Sequence, residues 1–303
     1  MAILLIGYDV EVCDPASEVT KTFMRIAPPL HSELGASCSF FICGKTLENN
    51  VRELQQVKEK WGQFIDFEQH TYSHLLLKTV VIDNGKNLKV IKGGTLEEIR
   101  WEVERTSELL QRYLGVACLG LTGPWGYYRG LMDRPDVLEI LYLLGIRFTR
   151  TYARNERDYQ PVSFEVQPFW YELQGFPEIL ECPVQWWQDC IWRNLYGWRN
   201  KKEYLKQLKG NIDYIVEHNL VWGYVQHDWS SIKEDPEMTI IRELVEYALD
   251  RNVRIMSYYD YYQEEVKKRS LALEGKRGEL TTKDVGLVVS DGKARSFDLL
   301  KKS

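Results

Sequence analysis

Residues 64–74 read FIDFEQHTYSH, a short apolar segment followed at once by two histidines four positions apart. The alternation of apolar and polar residues predicts a strand, and His70 and His74 then lie in the loop or first helical turn that follows it. Two imidazoles in such a turn can converge on one cation at ordinary zinc–nitrogen distances. The spacing alone is weak support for a metal site, so the case depends on whether other predicted strands also end in residues that can bind a metal ion.

Acidic and imidazole side chains also follow two other predicted strands. Residues 3–10 predict a buried first strand, and the two-residue period of a strand aims Asp9 and Glu11 at the same side. His227 ends another apolar run, residues 220–226. Three of the five histidines therefore follow strands in the same phase, and such loops meet at one face of a parallel barrel. We expect these side chains to form one site.

Apolar, β-branched segments alternate with segments of helical period, which is the pattern of βα units around a parallel sheet. Strands are predicted over residues 3–10, 37–43, 64–67, 146–149, 220–226 and 254–257, and helices over residues 18–34, 47–61, 95–114, 135–144, 201–218 and 236–252. The first helix is expected to be interrupted or to end near Pro28 and Pro29. Residues 120–130 predict a turn-rich loop, residues 80–91 a hairpin around Asp83-Asn84-Gly85, and residues 164–198 a stretch of strands and loops. The fold class is therefore α/β.

The chain of 303 residues, 44% of them hydrophobic, is long enough for one large core. We therefore assign residues 1–265 to a single barrel domain. Residues 266–303 are charged and poor in aromatics, and we expect them to form an appendage with a hairpin at Ser290-Asp291-Gly292.

The net charge, the apolar runs and the cysteines indicate which partners and which cellular compartment to expect. A net charge of −5 and a pI near 5.7 provide no basic stripe, so we expect no nucleic-acid partner. The N-terminal apolar run is too short for a signal-peptide core, and no run has the length of a membrane span. We expect a soluble, cytoplasmic protein that acts on a small molecule or a carbohydrate, and self-association into a homo-oligomer stays open. The six cysteines form no CxxC pair and are expected to be reduced and buried.

Several motifs, taken in order, make residues 3–260 resemble the polysaccharide deacetylases with NodB homology. Asp9-Val10-Glu11 resembles the first motif, D-x-[DE], and residues 70–74 match the metal motif H-[ST]-x-x-H. Residues 34–44 resemble the second strand of that family, and Pro124-Trp125-Gly126 the end of its R-x-P-x-G motif. Residues 181–189 resemble the region that supplies an acid, and Val225-Gln226-His227 the last motif. The resemblance implies a distorted (β/α) barrel of about seven strands.

The resemblance also implies roles for these residues. Glu11, His70 and His74 would bind one divalent metal ion, most simply Zn²⁺, with Co²⁺ or Ni²⁺ as alternatives. Asp9 would be the catalytic base and His227 the acid, with Asp189 orienting the imidazole. The loop that supplies the oxyanion and substrate contacts would contain Thr122, Pro124, Trp125 and Gly126, with the main-chain N–H of Trp125 as the oxyanion donor.

The implied activity is hydrolysis of carbon–nitrogen bonds other than peptide bonds. The simplest reaction is N-deacetylation of an N-acetylated sugar or glycan. A second interpretation is hydrolysis of small cyclic or linear amides, as in the allantoinase-like and imidase-like branch of the family. A third is a homologue without activity that still binds a metal or a carbohydrate.

One position departs from the family pattern. Thr122 stands where the family has the arginine that pairs with the catalytic aspartate, and a threonine hydroxyl brings no charge to hold Asp9 ionised. Arg129, Arg147 and Arg150 lie near enough in sequence to compensate. We expect that one of them does.

Overall fold

A computed structural model describes residues 1–83 and 88–279. Its strands are β1 (Ile3–Val10), β2 (Cys38–Ile42), β3 (Ile65–Gln69), β4 (Val80–Asp83), β5 (Leu88–Ile91), β6 (Gly120–Tyr128), β7 (Phe148–Arg154), β8 (Phe169–Tyr171), β9 (Phe176–Glu181), β10 (Val221–His227) and β11 (Arg254–Met256). Its α-helices are α1 (Val19–Leu34), α2 (Gly44–Asn49), α3 (Val51–Trp61), α4 (Leu96–Leu109), α5 (Pro135–Leu143), α6 (Asp189–Tyr196), α7 (Lys201–His218), α8 (Asp228–Ile232), α9 (Thr239–Asp250) and α10 (Tyr258–Glu279).

The central sheet contains seven parallel strands in the order β10-β1-β2-β3-β6-β7-β9. Short β11 also pairs with β1 in parallel, and β8 pairs with β9 antiparallel. The predicted α/β class and the barrel of about seven strands are confirmed, although the sheet is not closed between β9 and β10.

Two glutamine side chains cover the open edge of β10. Gly223 N–H donates to Gln185 Oε1 at 2.7 Å, and Val221 N–H donates to Gln167 Oε1 at 2.8 Å. These amides satisfy backbone donors that a neighbouring strand would otherwise bind, because buried N–H groups require a partner. The sheet therefore stays open between β9 and β10, and glutamine side chains accept the hydrogen bonds of these β10 backbone N–H groups.

Strand β1 fixes the face where the site forms. All eight of its residues are buried, as expected for a central parallel strand with helices on its outer side. In the register of the sheet, Asp9 lies opposite His227 of β10 and Phe41 of β2. The carboxyl ends of β1, β3 and β10 consequently meet at one edge, where ligands bind in open α/β sheets.

The interruption expected in the first helix is wrong, because α1 runs without a break through Pro28 and Pro29. A proline inside a helix removes one hydrogen bond and crowds the preceding turn. That cost is offset here by packing, since Ala27, Pro28 and Leu30 are buried against the sheet. The helix ends at Gly35, whose φ of 61° is the left-handed conformation that glycine accepts readily.

The loop predicted over residues 120–130 is also wrong, because Gly120–Tyr128 forms strand β6. Its register against β7 shifts between Thr122 and Tyr127, and the turn signals in the sequence mark this irregularity inside a strand. Gly126 has a φ of 65°, and a Cβ added to it would lie 2.3 Å from the Cβ of Ala153. Only glycine therefore fits this crossing point.

Smaller differences concern the ends of elements. The helix predicted over residues 47–61 is two helices, α2 and α3, that meet at Asn50, and the aromatic stretch 164–198 contains the unpredicted helix α6. The hairpin over residues 80–91 is confirmed by antiparallel pairing from Val80–Ile91 to Asp83–Leu88, while its turn at 84–87 lies outside the described residues.

One compact unit spans Met1–Tyr262. Helix α10 reaches Glu279, and the hairpin predicted at Ser290-Asp291-Gly292 lies outside the described residues. Among the helices described, none combines the length and the apolar character needed to cross a bilayer.

Candidate metal centre and active site

The ends of β1 and β3 bring Glu11, His70 and His74 together. Glu11 Oε2 lies 3.3 Å from His70 Nε2 and 3.0 Å from His74 Nε2. One ligand atom from each residue lies within 4.8 Å of the other two, so the three can hold a single metal ion. His74 reaches this point from a residue with a φ of 66°, a left-handed conformation that an L-residue with a bulky side chain rarely adopts.

The hydrogen bonds around this group orient its donor atoms. His70 Nδ1 lies 3.0 Å from the carbonyl oxygen of Thr122, which can only accept, so Nδ1 donates and Nε2 is the nitrogen directed at Glu11. Nε2 donates to Glu11 in the imidazolium form and offers a lone pair to a metal ion in the neutral form. Trp229 Nε1 donates to Glu11 Oε1 at 3.0 Å, which leaves Oε2 for the imidazoles. Two imidazole nitrogens and one carboxylate oxygen are the donors that a catalytic zinc site uses, so these residues fit a divalent ion of that kind.

The charge state of Glu11 suits the same role. Burial would raise the pKa of its carboxyl, but His227, His70 and His74 outweigh burial and hold that pKa well below its usual range. Glu11 is therefore a carboxylate, the form in which it can bind a metal ion.

Asp9 lies between two imidazoles but is beyond hydrogen-bonding distance of both. Its Oδ2 is 3.9 Å from His70 Nε2 and 3.9 Å from His227 Nε2. Its Oδ1 forms an ion pair with Nη2 of Arg150, whose side chain is only 1% exposed. Asp9 therefore has one oxygen held by a cation and one that faces the centre of the site.

Arg150 is inserted into the sheet from β7. Its guanidinium carbon lies 4.5 Å from the ring centroid of Phe41, and a Cβ added to Gly7 would lie 2.8 Å from its Nη1. Thr122 Oγ1 accepts from Arg150 Nε at 3.1 Å and donates to the Arg150 carbonyl at 2.8 Å. Thr122 thus holds the arginine that supplies the charge missing from its own position.

The other two arginines considered from the sequence lie elsewhere. Arg147 stacks on the ring of Tyr142 at 4.4 Å, and Arg129 lies 5.8 Å from the centroid of Tyr128. Neither forms an ion pair with Asp9. Arg150 is therefore the arginine that contacts the candidate base.

His227 is held by Asp189, the first residue of α6. His227 Nδ1 lies 2.8 Å from Asp189 Oδ1, and the other oxygen of Asp189 accepts a hydrogen bond from Ser230 Oγ. Burial would lower the pKa of His227, but the charge of Asp189 outweighs burial and, with Cys190 and Glu11, raises that pKa well above its usual range. The imidazole is thus favoured in its protonated form, with Nε2 directed toward Asp9.

A cavity of about 280 Å³ opens beside these groups. Asp9, Glu11, His74 and His227 line one part of it, and Thr122, Trp125 and Gly126 of β6 line another. Pro124 is buried and does not line the cavity. Small apolar residues contribute as well, namely Ala153, Val184 and Val225, which form a buried cluster of their own.

The structure thus brings together most of the residues selected from the sequence and adds three. Arg150 was one of several unassigned arginines, Trp229 had no role at the metal ligands assigned to it, and Arg154, which also lines the cavity, was not considered. A signal for the two arginines existed, because Arg150 and Arg154 are the charged residues of a segment, residues 148–154, whose other members are Phe, Thr, Tyr and Ala. No comparable pattern marks Trp229, because its contact with Glu11 joins residues 218 positions apart.

Known proteins resemble this chain in fold but not in overall sequence. No protein-family model and no curated protein matches the sequence. Among solved structures, a Mycobacterium smegmatis protein described as a polysaccharide deacetylase superposes with a TM-score of 0.63 at 14% identity, over 88% of this chain and 91% of that one. This chain has the polysaccharide-deacetylase fold. The family resemblance of its motifs is thereby confirmed at the level of the fold.

Other proteins with the deacetylase fold differ in activity. An allantoinase matches with a TM-score of 0.62 at 11% identity, over 86% of this chain and 89% of that one. A CE4 family pseudoenzyme from Bacillus anthracis matches with a TM-score of 0.50 at 12% identity, over 86% of this chain and 65% of that one. The deacetylase fold therefore does not by itself decide between enzyme and pseudoenzyme, and the site must be argued from its own residues.

Proposed function

We propose that the protein is a metal-dependent hydrolase of non-peptide carbon–nitrogen bonds, most simply an N-deacetylase of an N-acetylated sugar or glycan. The observation that carries the proposal is the position of Asp9. Its free oxygen lies 3.9 Å from the candidate ligand His70 and 3.9 Å from the candidate acid His227. A base beside a three-ligand metal site, with an acid facing it, is the arrangement that amide hydrolysis requires.

Glu11, His70 and His74 would hold the ion, with Zn²⁺ as the simplest choice and Co²⁺ or Ni²⁺ as alternatives. A divalent ion bound there would supply Lewis-acid polarisation of the amide carbonyl and would acidify a water molecule. Trp229 donates to one oxygen of Glu11, which would leave the other oxygen to bind the ion.

The proton transfers follow from the two buried ion pairs. Asp9, held by Arg150, accepts a proton from the attacking water. His227, charged beside Asp189, donates a proton to the amine nitrogen as the carbon–nitrogen bond breaks. The main-chain N–H of Trp125, a residue that lines the cavity, is the proposed donor to the oxygen on which negative charge develops.

A second candidate, hydrolysis of a small amide, is favoured by the size of the cavity. Its volume of about 280 Å³ lies at the lower end of small-molecule sites, so it encloses little more than one sugar unit. A compact amide would fit within it completely, whereas a glycan would extend beyond it. The threonine at position 122 would favour the homologue without activity, because it brings no charge to Asp9. The contact between Arg150 and Asp9 supports the enzyme instead, since it supplies that charge.

The test is a hydrolysis screen on protein loaded with zinc, cobalt or nickel. N-acetylglucosamine oligomers and small cyclic and linear amides are incubated, and released acetate or amine is measured. Asp9→Asn and His227→Ala should bind metal normally while the rate falls by about 10²-fold or more.

His70→Ala and His74→Ala should lose the metal. The control is His218→Ala, which alters a histidine of α7 that does not line the cavity and should change neither the metal content nor the rate of hydrolysis. Normal metal content in His70→Ala and His74→Ala would contradict the ligand assignment. Absence of hydrolysis with all three metals would favour a binding protein.

A further inference from the structure

Arg154, the last residue of β7, lines the same cavity and is 4% exposed. It lies four residues beyond Arg150, so along an extended strand the two Cα atoms are about 13 Å apart. Arg150 therefore serves the metal-ligand end of the site, and Arg154 stands nearer the rim.

The hydrogen bonds of Arg154 go to neutral acceptors. Its Nε donates to the carbonyl oxygens of Trp125 at 3.3 Å and Gly126 at 3.0 Å, and its Nη1 donates to the Asp158 carbonyl at 2.6 Å. Among the side chains that the structure describes, those of residues 1–82 and 88–272, no carboxylate oxygen lies within 4.0 Å of its guanidinium, and its Nη2 makes no hydrogen bond. The carboxylate of Asp158 instead accepts from Val81 N–H at 2.7 Å.

A second cation approaches the same wall of the cavity. Lys89 of β5 places its Nζ 6.0 Å from the ring centroid of Trp125, and the guanidinium of Arg154 lies 5.8 Å from that centroid. Trp125 itself lines the cavity. Two cations therefore lie within about 6 Å of one cavity-lining ring, although Lys89 itself does not line the cavity and the chain as a whole is acidic.

The other charges of the site are matched. Arg150 pairs with Asp9, His227 pairs with Asp189, and Glu11 contacts His70 and His74. The guanidinium of Arg154 is bonded to carbonyl oxygens, and the Asp158 carboxylate acts on its charge without forming a direct ion pair, so a ligand carboxylate would add a contact that the described side chains do not make. A planar guanidinium with one nitrogen left over is suited to a carboxylate.

We infer that the substrate is a compact N-acyl compound that carries a carboxylate, which binds Arg154 with the help of Lys89. The small acyl group would occupy the apolar floor formed by Ala153, Val184 and Val225, beside the metal ligands. This inference rests on the proposed function and narrows it to acidic substrates.

The test compares matched ligands that differ in one charge. N-acetylated ω-amino acids with one, two or three methylenes are each paired with the neutral carboxamide, and dissociation constants are measured by calorimetry on the zinc-loaded protein. At least one acid should bind about 10-fold more tightly than its carboxamide, as expected for a charged hydrogen bond. Acetate released in the same samples reports hydrolysis separately.

Three variants identify the source of that preference. Arg154→Gln should abolish it, Arg154→Lys should retain part of it, and Lys89→Gln, on an exposed side chain, should weaken it by a smaller factor. Arg147→Gln, which alters an arginine stacked on Tyr142 outside the cavity, is the matched control and should leave the preference intact.

Equal binding of acids and carboxamides by the wild type would overturn the inference. So would a preference that survives in both Arg154→Gln and Lys89→Gln, since the carboxylate would then be bound elsewhere, for example at the metal. If acids bind preferentially through Arg154 but no acetate is released, the inference stands and the proposed hydrolysis is wrong.

Discussion

Replacement of Arg150 by methionine is the perturbation with the largest expected effect on stability. The guanidinium is 1% exposed and Asp9 is 10% exposed, so the variant leaves a buried carboxylate without its cation. Removal of one partner from a buried pair costs about 3–5 kcal/mol. The hydrogen bond from Arg150 Nε to Thr122 Oγ1 is lost as well, at a cost of about 1 kcal/mol. We therefore expect the free energy of unfolding to fall by about 4 kcal/mol or more.

The assay is urea unfolding of metal-free protein, in a double-mutant cycle with Asp9→Asn. The double variant Asp9→Asn/Arg150→Met contains neither charge, so its loss should be smaller than the sum of the two single losses by about 2–3 kcal/mol. Arg129→Met is the control and should cost less than about 1 kcal/mol, because that side chain is exposed and lies over the ring of Tyr128. Additive losses, or a loss in Arg150→Met no larger than in the control, would refute the assignment of a buried ion pair.

Three further predictions concern other contacts of the site and the sheet. Trp229→Phe keeps the ring but removes the donor to Glu11, so zinc affinity, measured by chelator competition, should fall by about 10-fold or more; unchanged affinity would contradict the contact. Asp189→Asn removes the charge that raises the pKa of His227, so the imidazolium should lose its proton at a lower pH. The alkaline limb of the pH–rate profile should therefore shift toward lower pH. A limb that does not move would show that His227 is not the acid. Burial raises the pKa of Glu68 to about 8, so the folded state favours the protonated form of this side chain. The free energy of unfolding should therefore decline as the pH rises from about 4 through 8. Glu68→Gln should reduce the decline measured by urea unfolding between pH 5 and pH 9, and an identical decline in the variant would contradict the prediction.

The strand ends that form the site could be predicted from the sequence. Asp9, His70 and His227 each follow an apolar run, and parallel strands bring such residues to one edge regardless of the loops between them. The two histidines of the HxxxH pair also lie together beside Glu11, because their relative position depends on residues only four positions apart.

The arginine that compensates for Thr122 could not be chosen from the sequence. Arg129, Arg147 and Arg150 are similarly near in the chain, and the choice depends on the register that places Thr122 opposite Arg150 in neighbouring strands. Register is set by tertiary packing and by the irregularity in β6, which the glycines of that segment made resemble a loop.

Local rules also failed where burial was strong. Pro28 and Pro29 predict the end of a helix, but the apolar face of α1 packs on the sheet and stabilises the helix beyond them. Arg154 was missed because the sequence does not show which charged residues of a strand line a cavity, and this position became a candidate only when the structure placed it there.

Zinc titration of the metal-free protein, followed by the rate of amide hydrolysis, tests the proposed metal-dependent mechanism most directly. The rate should rise in proportion to added zinc and reach its plateau at about one equivalent per chain, because Glu11, His70 and His74 form one three-ligand group. The double variant His70→Ala/His74→Ala should show no such rise. A rate that is independent of zinc, or a zinc-dependent rate that persists in the double variant, would contradict the proposed site.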